Sequence, residues 1–272
     1  MFKPFSGKIM LFGEYALLEG GNALTIPSNQ FTGQLAVNPS TEEQKKSHES
    51  VLKFAAYLMT HFEDHFFLDA LQNDLNQGLF FDANIPQGYG VGSSAAIVAA
   101  LVSLYGKNIP SSLIDQKAFF GEVESFFHGK SSGLDVLVCY QQKPILIQNG
   151  EPQIAHLEME QMQFKYELID THQVGHTNDM VGEFRAQNLA FFNSFRAQYL
   201  AETNLAVEAF LAGRFNEMFT SIKQLSFFAI DQMPWTIPAS IKNEWEESLA
   251  NPNLAYKLCG SGGGGFALKF SI

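Results

Sequence analysis

The sequence predicts an α+β protein built in two halves, and three observations carry that reading. Apolar residues recur near helical spacing at Val51, Phe54, Leu58, Phe62, Phe66 and Leu71. A strand candidate over 79–85 runs into a glycine loop and then into Ala95-Ala96-Ile97-Val98-Ala99-Ala100-Leu101, a run of good helix formers. Beyond the turn Asn149-Gly150-Glu151-Pro152, one strand is followed by several helical patterns and a closing hairpin. The mixture gives an α+β layout, with a domain boundary at the turn: 1–152 and 153–272.

The elements follow in order. Residues 8–12 read as a strand broken at Gly13-Glu14, with 15–19 resuming it and 31–37 forming another. Residues 41–50 are polar and charged, a solvated helix start or a loop, and 50–76 hold one or two helices. Asn108 opens a turn in which Ser111 or Ser112 is the N-cap of a helix that runs to His128 and stops at Gly129. Residues 136–148 read as strand, interrupted at 141–144. In the second half, 163–170 is a strand, helices fill roughly 178–200, 203–211, 214–229 and 238–249, and 256–270 is a hairpin around the glycine run 260–265.

Composition narrows the function classes. The 272 residues are 46% apolar and 17% charged, enough for a sizeable core and unlike a disordered tail. A net charge of −11 argues against non-specific binding to nucleic acid or an anionic membrane, while leaving room for a phosphorylated ligand held by backbone N–H groups. Cys139 and Cys259 form no CxxC pair, so a reducing cytoplasm is expected. No secretory h-region is visible near the start, and the longest apolar run, at 95–102, is far short of the ~20 residues a bilayer span needs. The 26 phenylalanines read as core.

The loop Gly88-Tyr89-Gly90-Val91-Gly92-Ser93-Ser94 is the strongest local feature. Alternate glycines let backbone N–H groups approach a ligand, and the helix that follows has unpaired first N–H groups at its positive end. A phosphate site follows, in competition with a tight turn that uses Ser93 as N-cap. The spacing is neither Walker A nor the dinucleotide GxGxxG pattern. The run 260–265 holds more glycine than a hairpin turn needs, which suggests a second backbone surface near a ligand. Glu124 shares a helix face with Phe120, Phe127 and His128, where a carboxylate is costly unless paired or metal-bound. Asp135 stands at the mouth of an apolar strand, pointing into a cleft or satisfied structurally. Lys8 is either a solvated chain-end lysine or a site residue, and His128 could serve the helix dipole. The seven histidines show no zinc spacing.

Together these motifs resemble the GHMP kinases, named for galactokinase, homoserine, mevalonate and phosphomevalonate members. Ser6-Gly7-Lys8-Ile9-Met10-Leu11-Phe12-Gly13-Glu14-Tyr15-Ala16 resembles the N-terminal substrate motif. Residues 86–96 resemble the phosphate loop P-x-G-x-G-L-G-S-S-A-A, with Val91 for Leu. Lys257-Leu258-Cys259-Gly260-Ser261-Gly262-Gly263-Gly264-Gly265 resembles the C-terminal glycine motif. Residues 124–135 look like the mevalonate kinase pattern E-x-x-x-H-G-x-P-S-G-x-D, with Ser131 in place of proline. Residues 171–177 line up with that branch's T-K-V-P-x-S/T-T stretch. Gly-Glu-Tyr at 13–15, with Tyr15 where mevalonate kinases carry histidine, is closer to phosphomevalonate kinases.

The resemblance implies a two-domain GHMP kinase fold: a ribosomal-protein-S5-like, ATP-binding N-terminal domain and a ferredoxin-like α+β C-terminal domain. It implies ATP as cosubstrate, Mg²⁺ as cofactor, and a small-molecule hydroxyl acceptor, with mevalonate ahead of phosphomevalonate and a sugar last. The setting would be isoprenoid biosynthesis in the cytoplasm, with no nucleic-acid or membrane partner; a homodimer is a possible assembly. Asp135 would accept or orient the hydroxyl proton, and Lys8 would neutralise charge on the transferred group. Ser94 and Glu124 would hold Mg²⁺. Gly88, Gly90, Val91, Gly92, Ser93 and Ser94, with Gly262 and Gly263, would contact phosphates. Glu14, Tyr15, His128 and Thr177 would contact substrate, with Lys130 and His176 as spare cations. A diphosphomevalonate decarboxylase or a catalytically silent metabolite sensor could use the same scaffold. Retention of Lys8, Ser94, Glu124 and Asp135 argues against the silent one, and the Glu124–Asp135 pattern disfavours the decarboxylase.

Overall fold

The computed structural model describes residues 2–157, 164–175, 177–187 and 189–272. They form two compact units: Met1–Lys8, Pro27–Pro86 and Val91–Lys143 in the first, and Ile9–Ile26, Gln87–Gly90 and Pro144–Ile272 in the second. Two strands, β1 (Phe5–Phe12) and β2 (Ala23–Ala36), are continuous through both.

In the first unit, β3 (Phe80–Ala83) pairs antiparallel with the far end of β2, from Gly33 opposite Ala83 to Ala36 opposite Phe80. The charged stretch after residue 40 is a helix start. Thr41 and Gln44 form a reciprocal capping box that satisfies two otherwise orphaned N–H groups and opens α1 (Glu42–His61). Helix α2 (Leu68–Asn76) follows. Helices α3 (Ser93–Tyr105), α4 (Leu113–His128) and α5 (Leu134–Gln141) pack on one another. Ser112 is the N-cap of α4, accepting from the Asp115 N–H, and Gly129 ends the helix with φ +70°.

Helix α5 corrects the sequence reading, which makes 136–148 a strand. Val136 and Val138 favour strands, and a short apolar run cannot be told from a buried helix by periodicity. Leu134, Val136, Leu137, Val138 and Cys139 are all buried, so no polar face reveals the helical period. Tertiary packing against α3 and α4 decides the conformation. Only the end of the expected strand survives, as β4 (Ile145–Gln148).

In the second unit, the sheet runs in the order β1-β2-β4-β5. β5 (Glu151–Ile154) returns from β4 through Asn149 and Gly150, both at positive φ, the pattern of a tight primed hairpin turn. Residues 15–19 do not resume β1: Ala16–Glu19 is a 3-10 turn closed by left-handed Gly20, whose N–H reaches the Ala16 and Leu17 carbonyls. A second, antiparallel sheet is ordered β6-β8-β7 (Lys165–Asp170, Phe266–Ser271, Leu254–Leu258), so the expected C-terminal hairpin forms. Helices α6 (Thr177–Ala186), α7 (Leu189–Leu211), α8 (Phe215–Gln232) and α9 (Ala239–Ala250) complete the unit. Its core includes Phe12, Tyr15, Phe184, Trp245 and Phe270.

Candidate active site

Lys8 is not a solvated lysine. Its side chain is 5% exposed, and Nζ lies 2.9 Å from Asp135 Oδ2, whose side chain is 35% exposed. The strand and the phosphate-type loop meet closely here. The Lys8 N–H donates to the Val91 carbonyl at 2.9 Å. A Cβ on Gly7 would stand 2.4 Å from that same carbonyl oxygen, and one on Gly92 would stand 2.9 Å from Lys8 Cγ. These two glycines let β1 and the loop close on each other, which fixes where the ammonium points.

Gly92 is also the N-cap of α3, in the left-handed conformation at φ 83°, and no side chain caps the first turn. Ser93 is therefore the first helical residue and not the cap. The N–H groups at the head of α3 are left for a ligand or solvent, at the positive end of the helix dipole.

Ser94 lies one position further and its hydroxyl faces α4. Oγ donates to Glu124 Oε1 at 2.9 Å and lies 2.9 Å from His128 Nε2. A hydroxyl has one proton, so with that proton on Glu124 the imidazole must donate through Nε2. Glu124 is 3% exposed. Its second oxygen accepts from Ser131 Oγ at 2.5 Å, a partner the sequence does not reveal. Burial pushes the Glu124 carboxyl above the usual range and the Asp135 charge adds to this; the Ser131 and Ser94 hydroxyls and His128 oppose the rise. Asp135 sits in the first turn of α5 rather than at a strand mouth. Gly133, at φ 71°, is the N-cap of that helix.

The donor chemistry fits a magnesium ion. Ser94 Oγ and Glu124 Oε1 are adjacent hard oxygens, and the carboxylate is buried, where a cation relieves its desolvation. Among the described residues no group of three or more His, Cys, Asp and Glu could hold a metal by itself. One carboxylate and one hydroxyl suit an ion that draws its other ligands from phosphates and water.

The remaining predicted residues belong to the second unit. Glu14 is an ion-pair partner of Lys257, and both side chains are at most 3% exposed. The sequence gives no hint of this pairing across 243 positions. Tyr15 is 1% exposed, its ring 4.5 Å from that of Phe184, and its hydroxyl donates to the Ser261 carbonyl at 2.5 Å. Burial and the Glu14 charge raise its pKa far above the ordinary tyrosine value. Glu14 and Tyr15 thus anchor the start of the C-terminal hairpin from within the core. Gly88 accepts from the Gly175 N–H at 3.0 Å, and Gly90 lies beside the Cys259 carbonyl.

The C-terminal glycine run serves close packing. A Cβ would stand 2.5 Å from the Thr236 carbonyl oxygen at Gly262, 2.5 Å from Met180 sulfur at Gly263 and 2.5 Å from the Tyr89 carbonyl oxygen at Gly265. Thr177 opens α6, and its side chain lies outside the described residues, as does His176.

The fold and the site define a two-unit α+β protein with a glycine loop at a helix N-terminus, a Lys–Asp pair and a buried carboxylate–hydroxyl pair. Residues 50–143 match the family model for the GHMP kinases N terminal domain. That match covers 94 of the 272 residues, and solved structures of kinases share the fold of this chain. No curated protein matches the sequence. Among solved structures, it is similar to L. major mevalonate kinase in complex with R-mevalonate (TM-score 0.69, 20% identity, covering 100% of this chain and 87% of that one). It is also similar to Streptococcus pneumoniae phosphomevalonate kinase in complex with phosphomevalonate and AMPPNP (0.67, 16%, 100% and 92%). Lactococcus lactis galactokinase complexed with galactose matches as well (0.65, 16%, 99% and 85%). Among the described residues no helix is long and apolar enough to cross a membrane.

Proposed function

We propose that this protein is an ATP-dependent kinase that phosphorylates the hydroxyl of mevalonate, giving 5-phosphomevalonate. The observation that carries the reading is the Lys8–Asp135 pair at 2.9 Å, with a nearly buried ammonium and a carboxylate that retains access. Phosphoryl transfer needs positioning and charge neutralisation more than covalent chemistry, and this unit supplies both.

In the proposed mechanism, the N–H groups at the head of α3, with the loop at 88–94, hold the nucleotide phosphates. Asp135 orients the acceptor hydroxyl and takes its proton. Lys8 offsets negative charge on the transferred group. Ser94 and Glu124 would hold Mg²⁺, which would supply positive charge against the phosphate oxygens. His128 fixes the Ser94 hydroxyl through Nε2.

Gly13-Glu14-Tyr15, of the phosphomevalonate kinase type, supports phosphomevalonate as the second reading. The test is ADP release measured against mevalonate, phosphomevalonate, diphosphomevalonate, homoserine and galactose. Fastest turnover with mevalonate is expected. ATP binding without acceptor-dependent ADP release would favour a silent sensor and overturn the proposal.

A further inference from the structure

We propose that Ser131 is a positioning residue that aims Glu124 at its metal and ties that carboxylate to the helix bearing Asp135; the inference rests on the kinase reading above. The Ser131 hydroxyl does two things at once. As a donor it reaches Glu124 Oε2 at 2.5 Å, and as an acceptor it takes the Gly133 N–H at 3.0 Å. Gly133 is the N-cap of α5, two residues before Asp135. One hydroxyl therefore joins the carboxylate on α4 to the first turn of α5.

The geometry leaves little slack on either side. A Cβ on Gly133 would stand 1.9 Å from the Lys117 carbonyl oxygen and 2.6 Å from the Gly121 nitrogen, so the head of α5 is seated directly on the α4 backbone. Gly129, at φ 70°, turns the chain at the end of α4 so that residue 131 comes back to residue 124. Glu124 Oε1 is held by Ser94 and Oε2 by Ser131, so the two hydroxyls fix the plane of a buried carboxylate. If a cation takes Ser94 Oγ and Oε1 as ligands, the Ser131 bond is what still orients the group. A partner of this kind, bonded to a ligand rather than to the metal, typically changes affinity or activity by about 10- to 100-fold when removed. The pattern resembled at 124–135 has proline here, which has no hydroxyl, so the contact is a property of this chain.

The test compares Ser131→Ala, Ser131→Cys and Ser131→Thr in the full chain. Readouts are the half-saturating Mg²⁺ concentration for turnover, the acceptor KM, the melting temperature, and Mn²⁺ binding with ADP by electron paramagnetic resonance. Ala, and Cys with its weak S–H donor, are expected to raise the Mg²⁺ requirement and the Mn²⁺–ADP dissociation constant by about 10- to 100-fold, with the acceptor KM unchanged. Thr retains the hydroxyl and is expected to restore both. If Ala fails to fold, Cys against Thr decides. Wild-type metal binding in Ala and Cys, or a loss in Thr equal to theirs, overturns the inference and leaves the kinase reading standing. A wild-type chain that neither binds Mn²⁺–ADP nor releases ADP overturns the reading and the inference with it.

Discussion

Lys8 Nζ lies 2.9 Å from Asp135 Oδ2, and the two partners differ in exposure: 5% for the lysine side chain, 35% for the aspartate. A buried ammonium needs its counter-ion, whereas a partly open carboxylate can still meet a substrate. The contact therefore serves both the fold and the proposed chemistry. Asp135→Asn preserves the shape and removes the base. Turnover should fall by about 10²–10⁴-fold, the range for a positioned proton acceptor, with ATP binding retained. Steady-state kinetics with a nucleotide-binding titration check this, and near-normal turnover would remove Asp135 from the mechanism.

The two glycines flanking Ser131 should respond differently to alanine. Both have positive φ, so each substitution carries backbone strain of about 1–3 kcal/mol. At Gly129 a Cβ meets nothing within 4 Å, and that strain is the whole expected loss. At Gly133 the Cβ would stand 1.9 Å from the Lys117 carbonyl oxygen, so α5 must shift off α4. Gly133→Ala should lose roughly 4 kcal/mol or more, the range reserved for backbone and packing failures of this kind. Urea unfolding of both variants gives the comparison, and equal losses would contradict the seating of α5 on α4.

What the sequence makes legible depends on how local the cause is. The glycine loop, the Ser112 cap, the stop at Gly129 and the hairpin around 260–265 are set by residues within a few positions of each other, and each is seen. Helix α5 is hidden because burial on nearly every side erases its period. The Glu124–Ser131 bond is hidden because it needs the Gly129 turn to fold the chain back. The Glu14–Lys257 pair joins opposite ends of the chain, and no spacing rule reaches that far. Tyr15 shows the converse: its place in a motif suggests ligand contact, while the structure gives its hydroxyl to Ser261.

Glu124 should make stability depend on pH in a defined sense. Its folded pKa is raised, by burial first and the Asp135 charge second, above an unfolded value of about 4.3. A group raised on folding contributes stability that is complete below the unfolded value and is lost as pH rises through the folded value. Wild-type stability relative to Glu124→Gln should therefore decline as pH climbs from about 4 towards neutrality. Melting temperatures of both proteins in metal-free buffer test it. A gap that stays constant across the range would mean the two hydroxyls fully compensate the buried charge. Added Mg²⁺ should move the balance back towards the wild type, and the half-saturating Mg²⁺ concentration for turnover should rise in Glu124→Gln.

The choice of acceptor turns on where cations are free to receive a second phosphate. Arginine is the usual bidentate partner for phosphate, and this chain has three: Arg185, Arg196 and Arg214. All belong to the second unit. Arg196 lies 3.5 Å from Glu19 and stacks over the Phe184 ring at 5.0 Å. Arg214 lies 3.1 Å from Glu217, three residues along the chain. Arg185 is exposed in the last turn of α6. None borders Lys8, Asp135, Glu124 or Ser94 in sequence, and in the first unit Lys130 stands five residues before Asp135, in the loop beside Ser131. A phosphate already on the acceptor would add charge to a protein of net charge −11 that carries no arginine beside those residues in sequence. The kcat/KM for mevalonate should therefore exceed that for phosphomevalonate. Lys130→Ala separates the cases further: it should depress the phosphomevalonate rate selectively if that lysine is the partial substitute, and leave the mevalonate rate near wild type. A mevalonate-to-phosphomevalonate ratio below one would promote phosphomevalonate to first place and assign Gly13-Glu14-Tyr15 more weight than the 124–135 pattern.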